Sequence, residues 1–169
     1  MISLQRSRMI DRLAGKPLCG LLSLAERLRR CLPFGRKAPV SPECILFVGI
    51  SEMGSILLSF SAVKEARERY PAAEIHFLCF DKVREAVGLL DLIPEENIHT
   101  LSTASIPRFM CDALGAIRQL RRARVDTVID MELFARISAI LGYLSGAVNR
   151  VGFFRYNTEG LYRGTFLTH

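Results

Sequence analysis

Five cysteines, Cys19, Cys31, Cys44, Cys79 and Cys111, occur with no C-x-x-C pair among them. An odd number without that spacing argues against both a disulfide framework and a zinc site, and fits a reducing, cytoplasmic setting. Histidine is scarcer still. His76, His99 and His169 share no metal-ligand spacing, so no metal is expected, and His76 reads as a core or edge residue of a strand. Long apolar runs are missing as well. Leu18 to Ala25, the most apolar part of the first 42 residues, is only eight residues between Lys16 and Glu26, against the roughly 20 that span a bilayer. No Ala-x-Ala cleavage pattern accompanies it, so a secretory signal is not expected. Gly49, Gly54, Gly142, Gly146 and Gly152 are too dispersed for G-x-G-x-x-G. That excludes a dinucleotide fingerprint, and no cofactor is expected. Internal repeats and low-complexity tracts are absent.

Acidic side chains are few at one end only. Residues 1–42 carry nine Lys and Arg against Asp11 and Glu26, which leaves 14 basic and 15 acidic side chains from Glu43 onward. The net charge of +6 therefore belongs to the N-terminal arm, and the body is not a nucleic-acid binder. The cluster Arg118, Arg121, Arg122 and Arg124 has no aromatic interleaving and reads as solvated charge at a helix C-terminus.

What is present is organised around Ile45 to Ser55. Ile45 to Ile50 is a short, β-branched apolar run, as expected of a buried strand. A polar loop follows, then a helix through Arg69 with Ile56, Phe60 and Val63 on its apolar stripe. Ligands gather at such a turn in an open parallel sheet, so the cleft is expected at Ser51 to Ser55. Upstream, Leu18, Leu21, Leu22, Ala25, Leu28 and Leu32 follow helical spacing, with Ser23, Glu26, Arg27 and Arg30 mostly opposite. Two readings stand for this helix. One is an interfacial helix resting on an anionic membrane; the other is an added helix packed on the domain edge or on a partner. Residues 33–42 read as a linker.

Further along, Glu74 to Phe80 alternates as a strand with Ile75, Phe77 and Cys79 on one side. Asp81 starts a helix carrying Val83, Ala86, Val87 and Leu90. Asn97 to Leu101 is a third strand, and Ser105 with Pro107 opens a long helix with the stripe Met110, Ala113, Leu114, Ile117 and Leu120. Asp126 to Met131 is a fourth strand, followed by a helix from Glu132 to Ser145 with Phe134, Ile137, Leu141 and Leu144 inward. Asn149 to Phe153 is a fifth. The alternation predicts an α/β, Rossmann-like parallel sheet with helices on both faces, over 43–169.

Four stretches carry a resemblance: Ile45-Leu-Phe-Val-Gly-Ile-Ser-Glu-Met-Gly, Tyr70-Pro71, Val128-Ile-Asp-Met and Arg150-Val-Gly-Phe-Phe-Arg155. In order and spacing they resemble the N-terminal half of the ADP-heptose:lipopolysaccharide heptosyltransferases, glycosyltransferase family nine. The resemblance implies the GT-B arrangement, in which this half takes a lipid-linked sugar or other glycan acceptor and a second domain takes the nucleotide-sugar. The family's first loop normally continues Gly-Asp, with the Asp acting as base on the acceptor hydroxyl, whereas this chain has Ser55. Ser55 suits a helix cap better than a base. Glu52, two residues before Gly54, is the candidate base, against the alternative of a solvent-facing loop glutamate.

The resemblance also points to Asp130, Glu132 and Arg136 as acceptor contacts, Arg136 toward acidic or phosphorylated groups. The alternative is an Asp130 cap with a Glu132–Arg136 i,i+4 pair. Arg155 and Glu159 are implied at the cleft rim. Since the family enters its interdomain linker where His169 stands, these residues are expected to transfer no sugar alone, and a donor domain in trans is one implied partner. The expected location is cytoplasmic, at the inner membrane surface if the arm binds lipid. A non-catalytic binding or assembly domain derived from such an enzyme is the alternative.

Overall fold

The computed structural model describes residues 11, 13–31, 41–50, 53–133, 135–153 and 163–169. Five strands form one parallel sheet: β1 (Cys44–Val48), β2 (Glu74–Phe80), β3 (Ile98–Leu101), β4 (Thr127–Asp130) and β5 (Asn149–Gly152), in the order β3-β2-β1-β4-β5. β1 is central and apolar on both sides, as a strand covered from two faces must be. Its register pairs Cys44 with Glu74 and Val48 with Asp130. Odd-numbered β1 and β2 side chains, Ile45, Phe47, Ile75, Phe77 and Cys79, feed one core; Cys44, Leu46, Val48 and Leu78 feed the other. The predicted α/β sheet with helices on both faces is therefore present.

On the first face lie α2 (Met53–Leu58), α3 (Phe60–Arg69) and α4 (Arg84–Gly88). The single helix expected from Ile56 to Arg69 is broken at Ser59, whose N–H and hydroxyl both donate to the Ile56 carbonyl. A buried hydroxyl that bonds back to its own backbone competes with the helical ladder. The break also turns Phe60 outward, 40% exposed, and the buried stripe becomes Ile56, Ser59, Val63 and Ala66.

On the second face lie α5 (Ile106–Arg122) and α6 (Arg136–Leu144). Ser105 caps α5 by accepting from the Arg108 N–H, as its position predicts. The buried side of α5 is Ala113, Ala116 and Leu120, while Met110 and Leu114 are half exposed. Small alanines let the helix lie close to the sheet, so bulk alone misplaces the stripe. α6 is buried nearly all round, and a Cβ at Gly142 would stand 3.1 Å from Val128.

The reason is a further layer. α1 (Gly15–Cys31) covers the outer side of α6 together with residues 163–169. It forms where the leucine spacing predicts, yet its inward side is Gly15, Cys19, Ser23 and Glu26. Leu21 and Leu28 stay outside at 64% and 60% exposure, with Leu18 and Leu24 also exposed. Polar Ser23 and Glu26, expected opposite the packed side, are the packed side, because each meets a buried partner. Ser23 accepts from the Thr165 N–H at 2.9 Å, and Glu26 pairs with Arg150 at 2.8 Å. Leu32 lies outside the described residues, as does Phe134. Among the described residues, no helix is long and apolar enough to cross a membrane.

Candidate functional site

The sheet order reverses direction between β1 and β4, and the chain leaving their carboxyl ends goes to opposite faces, the place where open α/β sheets have the mouth of their ligand crevice. The two loops are fastened to each other. Met131 N–H donates to the Val48 carbonyl at 3.0 Å, and Ile50 N–H donates to Glu132 Oε1 at 2.7 Å. Gly49 makes this closeness feasible, because a Cβ there would stand 3.1 Å from Met131 and 3.2 Å from Phe77. The Gly49 of the first motif thus has a packing reason, independent of any ligand.

Behind the mouth sits a buried ionic cluster. Asp130, 2% exposed, accepts from the Glu132 N–H through Oδ1 and from the Ser138 hydroxyl through Oδ2, which also pairs with Arg163 Nη2. Arg163 in turn donates through Nη1 to the carbonyls of Glu132 and Phe153, and through Nη2 to Ser138 Oγ. Burial pushes the Asp130 carboxyl up to about 6, opposed by Arg163, the Glu132 N–H and the Ser138 hydroxyl. Asp130 therefore serves as the anchor of the β4 loop and offers sugar hydroxyls no open oxygen.

Arg136 is also engaged elsewhere. At 1% exposure it pairs with Asp11 at 3.0 Å, and Asp11 Oδ1 accepts the N–H groups of Arg136 and Ile137 at the start of α6. The Glu132–Arg136 pair expected from spacing is replaced by this contact, while Glu132 turns toward Ile50. A Cβ at Gly15 would come within 2.9 Å of the Arg136 side chain, so α1 lies directly against it.

Of the residues read from sequence as site candidates, the structure brings together Asp130 and Glu132 beside Ile50, and places Gly54 exposed in the first turn of α2. Ser51, Glu52, Arg155 and Glu159 lie outside the described residues, as does the side chain of Ser55. Sequence reasoning missed Asp11, Ser138 and Arg163. Ser138 stands eight residues from Asp130, but Asp11 and Arg163 reach their partners across 125 and 33 residues, where no local spacing rule applies. It also read the histidines as unrelated, whereas His76 Nδ1 and His99 Nε2 are 3.1 Å apart.

Compared with protein-family models and with curated proteins, the chain matches none.

Proposed function

We propose that this chain is the acceptor-binding half of a heptosyltransferase-like glycosyltransferase of the GT-B arrangement, acting on a lipopolysaccharide-type or other glycan acceptor. The observation that carries the reading is the Ile50 N–H to Glu132 Oε1 bond, set where the sheet order reverses. It ties Ile50, where the first motif's strand ends, to the β4 loop. Sugar transfer draws most of its rate from orientation and charge stabilisation, so a fixed β4 loop is what the acceptor side must supply. Glu52 keeps the role of base, and Ser51, Gly54, Ser55, Glu132 and Arg155 that of acceptor contacts. Asp130 and Arg136 act indirectly, by holding the β4 loop and the start of α6. Binding of the nucleotide-sugar belongs to a second domain.

The exposed Leu18, Leu21, Leu24 and Leu28 of α1, with Lys16 and Arg27 also exposed, support contact with an anionic membrane surface. A non-catalytic binding domain is the second reading. It is favoured by Ser55 in place of the family Asp and by the prior engagement of Asp130 and Arg136 in ion pairs.

The test is a titration of the nitrogen-15-labelled chain with a deacylated lipopolysaccharide inner-core oligosaccharide. Amide shifts are expected at Ile50, Gly54 and Glu132 and not at Glu74 or Asn97, which lie at the opposite end of the strands. Silence at the first three, or shifts confined to the other end, removes the acceptor assignment. Glu52→Gln then tests the base: turnover of nucleotide-sugar lost on that change supports Glu52 in the role, unchanged turnover removes Glu52 from it, and no turnover by the unaltered protein leaves the binding reading.

A further inference from the structure

At the amino-terminal edge of the sheet, Cys44 opens β1, while Glu74 and His76 lie on β2. Cys44 is in register with Glu74, and a strand's period of two puts His76 on the same face. Their ligand atoms, a sulfur, a carboxylate oxygen and an imidazole nitrogen, all fall within 4.8 Å of one another.

One hydrogen-bonding arrangement turns an imidazole lone pair toward the site: in it Gln119 Oε1 accepts from His99 Nδ1, 2.9 Å away. A neutral His99 then has its lone pair on Nε2, and His76 Nδ1, 3.1 Å from it, must donate. This leaves His76 Nε2 as an unprotonated nitrogen in a side chain that is 4% exposed, with no hydrogen-bond partner, 3.4 Å from Glu74 Oε1. Glu74 Oε1 also accepts from Asn97 Nδ2 at 3.1 Å, which orients the carboxylate toward this nitrogen. A metal ion is a partner that fits a buried imidazole nitrogen with a thiol and a carboxylate beside it. The relay through His99 to Gln119 is also the kind of outer hydrogen bond that orients a ligating imidazole.

We propose that Cys44, Glu74 and His76 form a site for a divalent transition-metal ion of zinc's class. The mixed sulfur, nitrogen and oxygen set suits an ion of intermediate softness, and three protein ligands leave a fourth position for water. A tetrahedral ion with bonds of about 2.0–2.3 Å holds its ligands roughly 3.3–3.8 Å apart. His76 Nε2 and Glu74 Oε1, 3.4 Å apart, already stand at that separation, and the Glu74 side chain, 55% exposed, has room to adjust. The Cys44 thiol loses its proton to solvent on binding. The carboxylates of Glu74 and Asp126, which together with burial hold that proton on sulfur, make the same spot attractive to a cation. Asp126 also steadies the strand start by accepting the Glu43 and Cys44 N–H groups.

The test is a titration of the full chain with Co²⁺, followed by visible and near-ultraviolet absorption. One equivalent is expected to bind, giving a thiolate-to-cobalt charge-transfer band and the visible intensity of a four-coordinate ion, both abolished by added Zn²⁺. Cys44→Ser should remove the charge-transfer band and His76→Gln should weaken binding at least tenfold, whereas Cys31→Ser and Cys111→Ser, at the two exposed cysteines, should leave the band intact. A band that survives Cys44→Ser, or one lost with either exposed cysteine, overturns the proposal. Should Cys44→Ser not fold, the nitrogen-15 shift of His76 Nε2 in the unaltered chain decides: a large change on adding Zn²⁺ supports the site, and no change overturns it.

Discussion

Arg163 joins three segments at one point, holding Asp130 at the end of β4, Ser138 in α6 and the Phe153 carbonyl after β5. A buried charge of this kind contributes specificity as much as stability, because its partners must all arrive together. The acid in the cluster has a signature in pH. Its carboxyl stands at about 6 in the folded chain against an ordinary value of 3.8. Between those values the folded state binds more protons than the unfolded one, so this group's contribution to stability grows as pH falls and is lost as pH rises through about 6. Urea unfolding of the unaltered chain and of Asp130→Asn is the measurement. The stability gap between them is expected to shift in favour of the unaltered chain by about 2 kcal/mol from about pH 7 to about pH 4. A gap that stays constant refutes the assignment.

Among the elements, α1 stands out because its two sides exchange their expected roles. Leu18, Leu21, Leu24 and Leu28 face out, while a serine, a cysteine and a glutamate face in beside the partly buried Leu22, so leucine-to-asparagine changes on the outer side remove little from the fold. The double change Leu21→Asn, Leu28→Asn should alter folding stability by no more than about 0.5 kcal/mol per site. Co-sedimentation with anionic vesicles should nevertheless fall by about a hundredfold or more, since each leucine buried in lipid is worth about 1.5–3 kcal/mol. Intact co-sedimentation would assign the leucine side to a protein partner instead. Sequence pattern located every strand of the sheet, because a strand's alternation or apolar run is set by its immediate neighbours. The face of α1 was misread, and those of α3 and α5 only in part: Val63, Ala113 and Leu120 are buried as spacing predicts, while Phe60 and Met110 are not. Hydrophobic spacing reports which residues could be buried, and the choice was made by ion pairs in α1, by the break at Ser59 before α3 and by small-residue contacts in α5. Site residues followed the same division. Glu132 was legible from its place after β4, but its partner Ile50, and the Asp11 and Arg163 contacts, depend on the assembled fold.

Across the whole molecule, the region near α6 is closed by the two ends of the described chain. Asp11 reaches Arg136, Glu26 reaches Arg150, and Ser23 reaches Thr165, while Gly152 and Thr168 exchange backbone bonds with His169 and Arg150 across the outer side of β5. That last pairing covers a sheet edge that would otherwise be available to another chain. Arg150 also lies 5.1 Å over the Tyr143 ring and is buried, so it has little recourse to water if Glu26 is lost. Glu26→Ala is expected to cost about 3–5 kcal/mol, the usual range for stranding one partner of a buried pair. Amide hydrogen exchange should show α1, β5 and residues 163–169 losing protection together. Loss confined to α1 would mean that the pair does not couple them.

The Glu26–Arg150 contact spans 124 residues. At translation rates of about 5–20 residues per second, roughly 6–25 s separate the synthesis of its two halves. Throughout that interval the nascent chain carries an amphipathic segment whose polar side has no domain to join. The inner side of that segment, Cys19, Ser23 and Glu26, therefore stays uncovered until the last strand and the residues beyond it have been made.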